Sequence, residues 1–137
     1  MVIAFFDANA LIYLLEGKEP FASRVRAELA TVYRAHPDVG SAVNRLSWLE
    51  CRVGPMKAND AAILNLYDTF FAWPDLVWLE LNRDVVELAA AIRVRHGLRT
   101  PDALQAACCL QLGPRHVFLT GDSMFQRVQG LNVVLLT

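Results

Sequence analysis

The chain has 137 residues, 55% of them apolar, and a net charge of −1. That length suits one domain whose core closes without disulfides, and that apolar share excludes a disordered chain. The near-zero charge excludes bulk basicity as a means of holding nucleic acid, so such a ligand would need a local patch or a bound cation.

Residues 2–6 form a continuous apolar run, the pattern of a buried strand. The spacing then predicts a short helix over 8–16, ended by Gly17. A second helix is expected over about 20–36, with Phe21, Val25, Leu29 and Val32 on one face, followed by a strand over 39–43. Asn44 suits the N-cap of a helix from Arg45 to about Gly54, where Pro55 is expected to break it. A helix over about 58–72, capped by Asn59 or Asp60, leads to a third strand over 76–81. Asn82 caps the next helix, to His96, with Val85, Leu88, Ala89 and Ile92 inward and Gly97 as its stop. Thr100-Pro101-Asp102 reads as a helix start, with Thr100 the cap, Pro101 first and the acid second. That helix reaches Leu112. A strand over 116–120, a helical turn near 123–128 and a strand over 133–136 complete the chain.

Strands separated by helices imply an α/β fold: a mostly parallel central sheet of about five short strands, with helices on both faces. The whole of residues 1–137 is expected to form one domain. Cys51, Cys108 and Cys109 are odd in number and lack C-x-x-C spacing, so they read as buried, reduced thiols rather than a zinc set. No basic segment precedes the first apolar run, and no stretch approaches the roughly 18 apolar residues of a membrane span. A cytoplasmic protein without membrane attachment is expected.

Four carboxylates fall where such a sheet gathers side chains. Asp7 closes the first strand, Asp122 follows the fourth, Asp102 opens a helix, and Glu50 lies near the start of another. Three of them singly have structural explanations: Asp7 as a cap, Asp102 as an acid favoured by a helix dipole, Asp122 as a turn residue. Glu50 is different, because Leu46, Leu49 and Val53 mark a stripe at helical spacing and Glu50 falls inside it. A core-facing carboxylate there would be costly without a function or an outlet past Arg45 or Arg52. Jointly, the four point to the crevice beyond the carboxyl ends of the strands, where ligands of open α/β sheets bind. Like charges gathered there raise one another's pKa unless a cation neutralises them. An all-oxygen acid set is a hard-metal set, and its first chemistry is phosphate chemistry.

The residues around these acids resemble the motifs of PIN-domain nucleases. Phe6-Asp7-Ala8-Asn9-Ala10-Leu11-Ile12-Tyr13-Leu14-Leu15 is similar to the opening motif and Ser47-Trp48-Leu49-Glu50-Cys51 to the second. Leu98-Arg99-Thr100-Pro101-Asp102-Ala103-Leu104-Gln105-Ala106-Ala107 is similar to the third, and Leu119-Thr120-Gly121-Asp122-Ser123-Met124-Phe125 to the fourth. Among these nucleases, small single-domain chains most resemble VapC-type toxins. The resemblance implies an endoribonuclease dependent on Mg²⁺ or Mn²⁺, homodimeric, and held inactive by a cognate antitoxin. It implies Asp7, Glu50, Asp102 and Asp122 as catalytic and metal-binding acids, with Asn9 and Thr120 as polar support. One departure is Asn44, which stands where a hydroxyl residue is often found before the second acid.

Two other readings keep part of the pattern. An RNA-processing PIN nuclease without an antitoxin has the same chemistry. A phosphotransfer enzyme of the haloacid-dehalogenase type also places Asp after its first strand, but it wants a second acid at Asn9. Arg93, Arg95 and Arg99, or Arg45 and Arg52, are placed to meet RNA phosphates, although solvated helix faces are the commoner fate of such charges. His36, His96 and His116 read as surface or capping residues. Tyr67, Phe70, Phe71, Trp73 and Trp78 read mostly as core, with any protruding share available to a dimer contact or an antitoxin.

Overall fold

The computed structural model describes residues 1–136. Its organising element is β1 (Ile3–Phe6), buried at every position. Such a strand must be covered on both faces, and its alternate residues show how. Ile3 and Phe5 enter one core with Phe118, Phe125, Ala103 and Ile92. Ala4 and Phe6 enter the other with Leu11, Val25, Tyr67 and Phe71.

The remaining strands are β2 (Gly40–Asn44), β3 (Val77–Leu79), β4 (His116–Thr120) and β5 (Val133–Leu135). The sheet order is β3-β2-β1-β4-β5 and every pairing is parallel. Ile3 pairs with Gly40 on one side and His116 on the other, which places β1 at the centre. The chain leaves β1 toward β2 and later returns to β4 on β1's other flank. The gap between the carboxyl ends of β1 and β4 is therefore the topological switch point.

Helices α1 (Ala8–Glu16), α2 (Phe21–Ala35), α3 (Arg45–Lys57) and α4 (Ala61–Phe71) contribute to the core containing Phe6. Helices α5 (Arg83–His96) and α6 (Thr100–Leu110) cover the face containing Phe5. The expected caps hold at several ends. Asn44 accepts from the Ser47 N–H at 2.9 Å, Asn82 from the Val85 N–H at 3.0 Å, and Asp60 from the Ile63 N–H at 3.1 Å. Gly17 and Gly97 end their helices at φ of 68° and 69°, where a side chain would be strained.

Three details differ from the sequence reading. Pro55 does not break α3 but lies in its last turn. A helical proline loses an N–H bond and crowds both the carbonyl four residues back and the preceding residue's N–H and Cβ, and the missing Cβ of Gly54 eases the last of these. Helix α6 is capped by Arg99 without a side-chain bond, Thr100 is its first residue, and the Thr100 hydroxyl accepts from the Arg93 guanidinium at 2.8 Å. His116 is a buried brace rather than a surface residue. Its Nδ1 meets the Gly113 carbonyl at 2.6 Å and its Nε2 accepts from the Asn132 N–H at 3.0 Å. Those bonds define the tautomer, with the proton on Nδ1.

The larger correction concerns α3. Its buried stripe is Ser47, Cys51 and Pro55, whereas Leu49 is 52% exposed and Val53 41% exposed. Small and thin side chains at i, i+4 and i+8 let α3 approach α1, so the bulkier apolar residues turn outward. Glu50 accordingly lies at the edge of the helix and not within a core stripe.

Candidate active site

Asp7 is the innermost of the four acids, 5% exposed at the end of β1. It caps α1, its Oδ1 accepting the Ala8 N–H at 2.9 Å. Its Oδ2 accepts from Asn9 Nδ2 at 3.0 Å and from the Thr120 hydroxyl at 2.8 Å. Each carboxylate oxygen has two acceptor directions, so Oδ1 keeps one for a further partner. Burial pushes the Asp7 carboxyl up to about 7. The Thr120 and Ala8 bonds oppose that rise, while the Asp102 and Glu50 charges add to it.

Asn9 and Thr120 join the two strand ends. Asn9 Oδ1 accepts from the Gly121 N–H at 3.1 Å, and Thr120 Oγ1 accepts from the Asp122 N–H at 3.1 Å. Asp122 then caps the 3-10 turn Ser123–Arg127 by accepting the Met124 N–H at 2.9 Å. A Cβ added at Gly121 would come within 3.2 Å of the Tyr13 ring, so a larger residue here requires that ring to shift.

Glu50 comes from α3 and Asp102 from the first turn of α6. Burial raises the Glu50 carboxyl, the Gln105 amide opposes the rise, and the Asp102 charge reinforces it. Burial also raises Asp102, joined by the Asp122 charge and opposed by Arg99, whose Nε lies 3.9 Å from Asp102 Oδ2. The sheet edge thus brings all four acids into one electrostatic neighbourhood. Asp7 feels Asp102 and Glu50, Glu50 feels Asp102, and Asp102 feels Asp122.

Among the described residues, no three His, Cys, Asp or Glu side chains are already closed around a cation-sized space. The donor chemistry nevertheless suits a hard divalent cation: four oxygen acids, three of them around a buried anchor whose ionised form burial disfavours. The thiols take no part in this site. Cys51, Cys108 and Cys109 are free and buried, and burial pushes Cys51 up to about 12.

Residues 4–131 match the family model of the PIN domain. The chain belongs to the PIN domain family. No curated protein matches the sequence. Solved structures share its fold over nearly the full length. A chain of VapBC2 from Rickettsia felis, bound to a DNA fragment from their promoter, is 13% identical with a TM-score of 0.77, covering 99% of this chain and 100% of that one. A toxin-antitoxin complex from Klebsiella pneumoniae contains a chain 27% identical, with a TM-score of 0.69 and 98% of each chain covered. For VapBC-1 from nontypeable Haemophilus influenzae the values are 19%, 0.71 and 98% of each.

Several basic residues of this PIN domain are committed elsewhere. Arg45 pairs with Glu80 at 3.0 Å and lies 4.0 Å over the Trp78 ring. Arg52 pairs with Asp68 and lies over Trp48. Neither pairs with Glu50. Arg93 bonds the Leu98 carbonyl at 3.1 Å as well as Thr100, bracing the loop that delivers Asp102. Arg99 is the basic side chain left open beside the acids, at 88% exposure.

Ser47 and Gln105 are buried polar residues at the site that the sequence does not single out. Gln105 Nε2 donates to Glu50 Oε1 and to Ser47 Oγ, each at 3.2 Å. The available signal is a glutamine in the small-residue run Ala103–Cys109, three positions after Asp102 and so on its side of the helix.

Proposed function

We propose that this PIN domain, taken as residues 1–137, is a Mg²⁺- or Mn²⁺-dependent endoribonuclease and the toxin of a toxin–antitoxin pair. The supporting observation is the mutual coupling of Asp7, Glu50, Asp102 and Asp122 at the switch point, around a buried Asp7 whose ionised form burial disfavours. Asp7 and Asp102 would hold the cation directly. Glu50 and Asp122 would complete the oxygen ligand set or accept hydrogen bonds from the attacking water. A bound divalent cation lowers the pKa of water and offsets charge on the scissile phosphate. Asn9 and Thr120 keep Asp7 from rotating, and Arg99 offers a phosphate contact at the rim.

The partner reading rests on the family and on apolar surface. Leu15, Leu66, Thr69, Phe70 and Trp73 line a shallow depression of about 410 Å³ between α1 and α4. We assign this surface to a cognate antitoxin segment, and we expect the toxin itself to be a homodimer in the cytoplasm. No helix of the described residues is long and apolar enough to cross a membrane.

The test pairs thermal unfolding with and without Mn²⁺ with cleavage of a structured RNA. Wild type should be stabilised by Mn²⁺ and should cut. Asp7→Asn should lose about 10²–10³-fold of the cleavage, the scale of a preorganised electrostatic group. Wild-type cleavage by Asp7→Asn would falsify the site. Cells expressing the chain should arrest and should recover when the neighbouring gene is co-expressed; arrest without recovery would favour a nuclease lacking an antitoxin.

A further inference from the structure

Glu50 occupies an exposed stretch of α3, between Leu49 and the outward-facing Val53. A glutamate in such a place ordinarily swings through solvent, because holding its rotatable bonds costs entropy. Here one carboxylate oxygen is met at 3.2 Å by Gln105 Nε2 from α6. Gln105 is itself 1% exposed, packed in the Ala-rich helix that covers the Phe5 face. An amide buried there is retained at a cost unless its bonds are made.

Those bonds form a continuous path. The Asn44 side chain, at the end of β2, accepts from both the Ser47 N–H and the Ser47 hydroxyl, at 2.9 and 3.1 Å. Ser47 Oγ in turn lies 3.2 Å from Gln105 Nε2. An ionised carboxylate can only accept, so the amide must present its N–H side to Glu50. The orientation of a surface acid is thus tied, through two buried side chains, to the carboxyl end of a central strand. Asn44 Nδ2 is left without a hydrogen-bond partner.

We propose that Gln105 is a positioning residue that holds Glu50 over the acid cluster and thereby sets the affinity of the site for its divalent cation. The inference rests on the reading of Glu50 as a cation-side acid. Gln105 does not touch the cation or the substrate; it acts through Glu50 alone. Losing such an outer partner typically weakens metal binding about 10–100-fold.

The experiment is a double-mutant cycle on the full chain with Mn²⁺ as the probe, read by calorimetric titration and by unfolding of the metal-free protein. Gln105→Met keeps the volume and removes the amide. It should weaken Mn²⁺ binding about 10–100-fold in the wild-type background and have no further effect in Glu50→Gln. Equal losses in both backgrounds, or no loss in either, overturn the proposal. Mn²⁺ binding unchanged by Glu50→Gln alone overturns instead the assignment of Glu50 to the cation. Should Gln105→Met fail to fold, Ser47→Ala serves: Gln105 stays in place but its orienting hydroxyl is gone. A smaller loss, again absent in Glu50→Gln, supports the proposal, and a loss that persists there overturns it.

Discussion

The Thr120 hydroxyl, at the end of β4, donates to Oδ2 of Asp7, at the end of β1, over 2.8 Å, and both groups are buried. Two paired strands far apart in sequence are thus also tied by a side-chain hydrogen bond at the base of the acid cluster. The same oxygen of Thr120 accepts the Asp122 N–H, so one hydroxyl orients two of the four acids. Thr120→Val preserves shape while deleting both bonds. It should destabilise the fold by about 1–3 kcal/mol, the cost of leaving buried partners unsatisfied. It should also weaken Mn²⁺ binding by about tenfold or more, measured by denaturant unfolding and titration respectively.

The raised carboxyl of Asp7 makes a signed prediction about pH. Its proton is held up to about pH 7 in the folded, metal-free chain, against 3.8 for an ordinary Asp. Between those limits the native state binds more protons than the unfolded state, so stability falls as pH rises. Each tenfold change in proton affinity is worth about 1.4 kcal/mol, so the rise from 3.8 to about 7 sets about 4–5 kcal/mol as the upper bound of Asp7's share of the loss. Metal-free protein should be more stable near pH 4.5 than near pH 8. Mn²⁺ should flatten the profile, and Asp7→Asn should make it shallower, leaving the contribution of the raised Glu50 and Asp102 carboxyls. A metal-free stability that climbs from pH 5 to 8 would contradict this account of Asp7.

Arg93 and Arg99 lie close in sequence but have opposite surroundings. Arg93 spends its guanidinium on the Leu98 carbonyl and the Thr100 hydroxyl, whereas Arg99 stands open with only a 3.9 Å approach to Asp102. Arg93→Met should cost about 1–2 kcal/mol of stability and leave the salt dependence of RNA binding unchanged. Arg99→Gln should change stability by less than about 0.5 kcal/mol yet weaken RNA binding and reduce its salt slope by about 1. Exchange of those two phenotypes would show the assignments to be reversed.

Leu66 and Trp73 are about half exposed on the rim of the α1–α4 depression. Leu66→Ser and Trp73→Ser should therefore alter unfolding by no more than about 0.5–1 kcal/mol. Their effect belongs to association: co-expression with the neighbouring gene should no longer relieve arrest, while cleavage by the isolated chain persists. Full relief by the antitoxin would place its contact on another surface.

The elements were largely legible because their signals are local. An apolar run that ends at an acid, Asn44 and Asn82 before helices, and Gly17 and Gly97 after them each act through their own turn of backbone. The exceptions have a common cause. The tolerance of Pro55 in the last turn of α3 depends on Gly54, whose missing Cβ eases part of the crowding, and the α3 stripe depends on packing against α1, which favours small residues over Leu49 and Val53. His116 is a brace because its partners, Gly113 and Asn132, flank it in space around a strand start.

The order of apolar and polar residues by itself determined a parallel sheet with helices on both faces and marked Asp7, Glu50, Asp102 and Asp122 as acids worth gathering. Periodicity and capping are one-dimensional properties, and they carry that much. Only the tertiary structure decided that Arg52 and Arg93 are braces rather than free cations, that Glu50 stands at a helix edge, and that the buried amide of Gln105 reaches it. Those outcomes depend on which side chains meet across helices and strands distant in the chain, and hydrogen bonds between such partners leave no periodic trace in sequence.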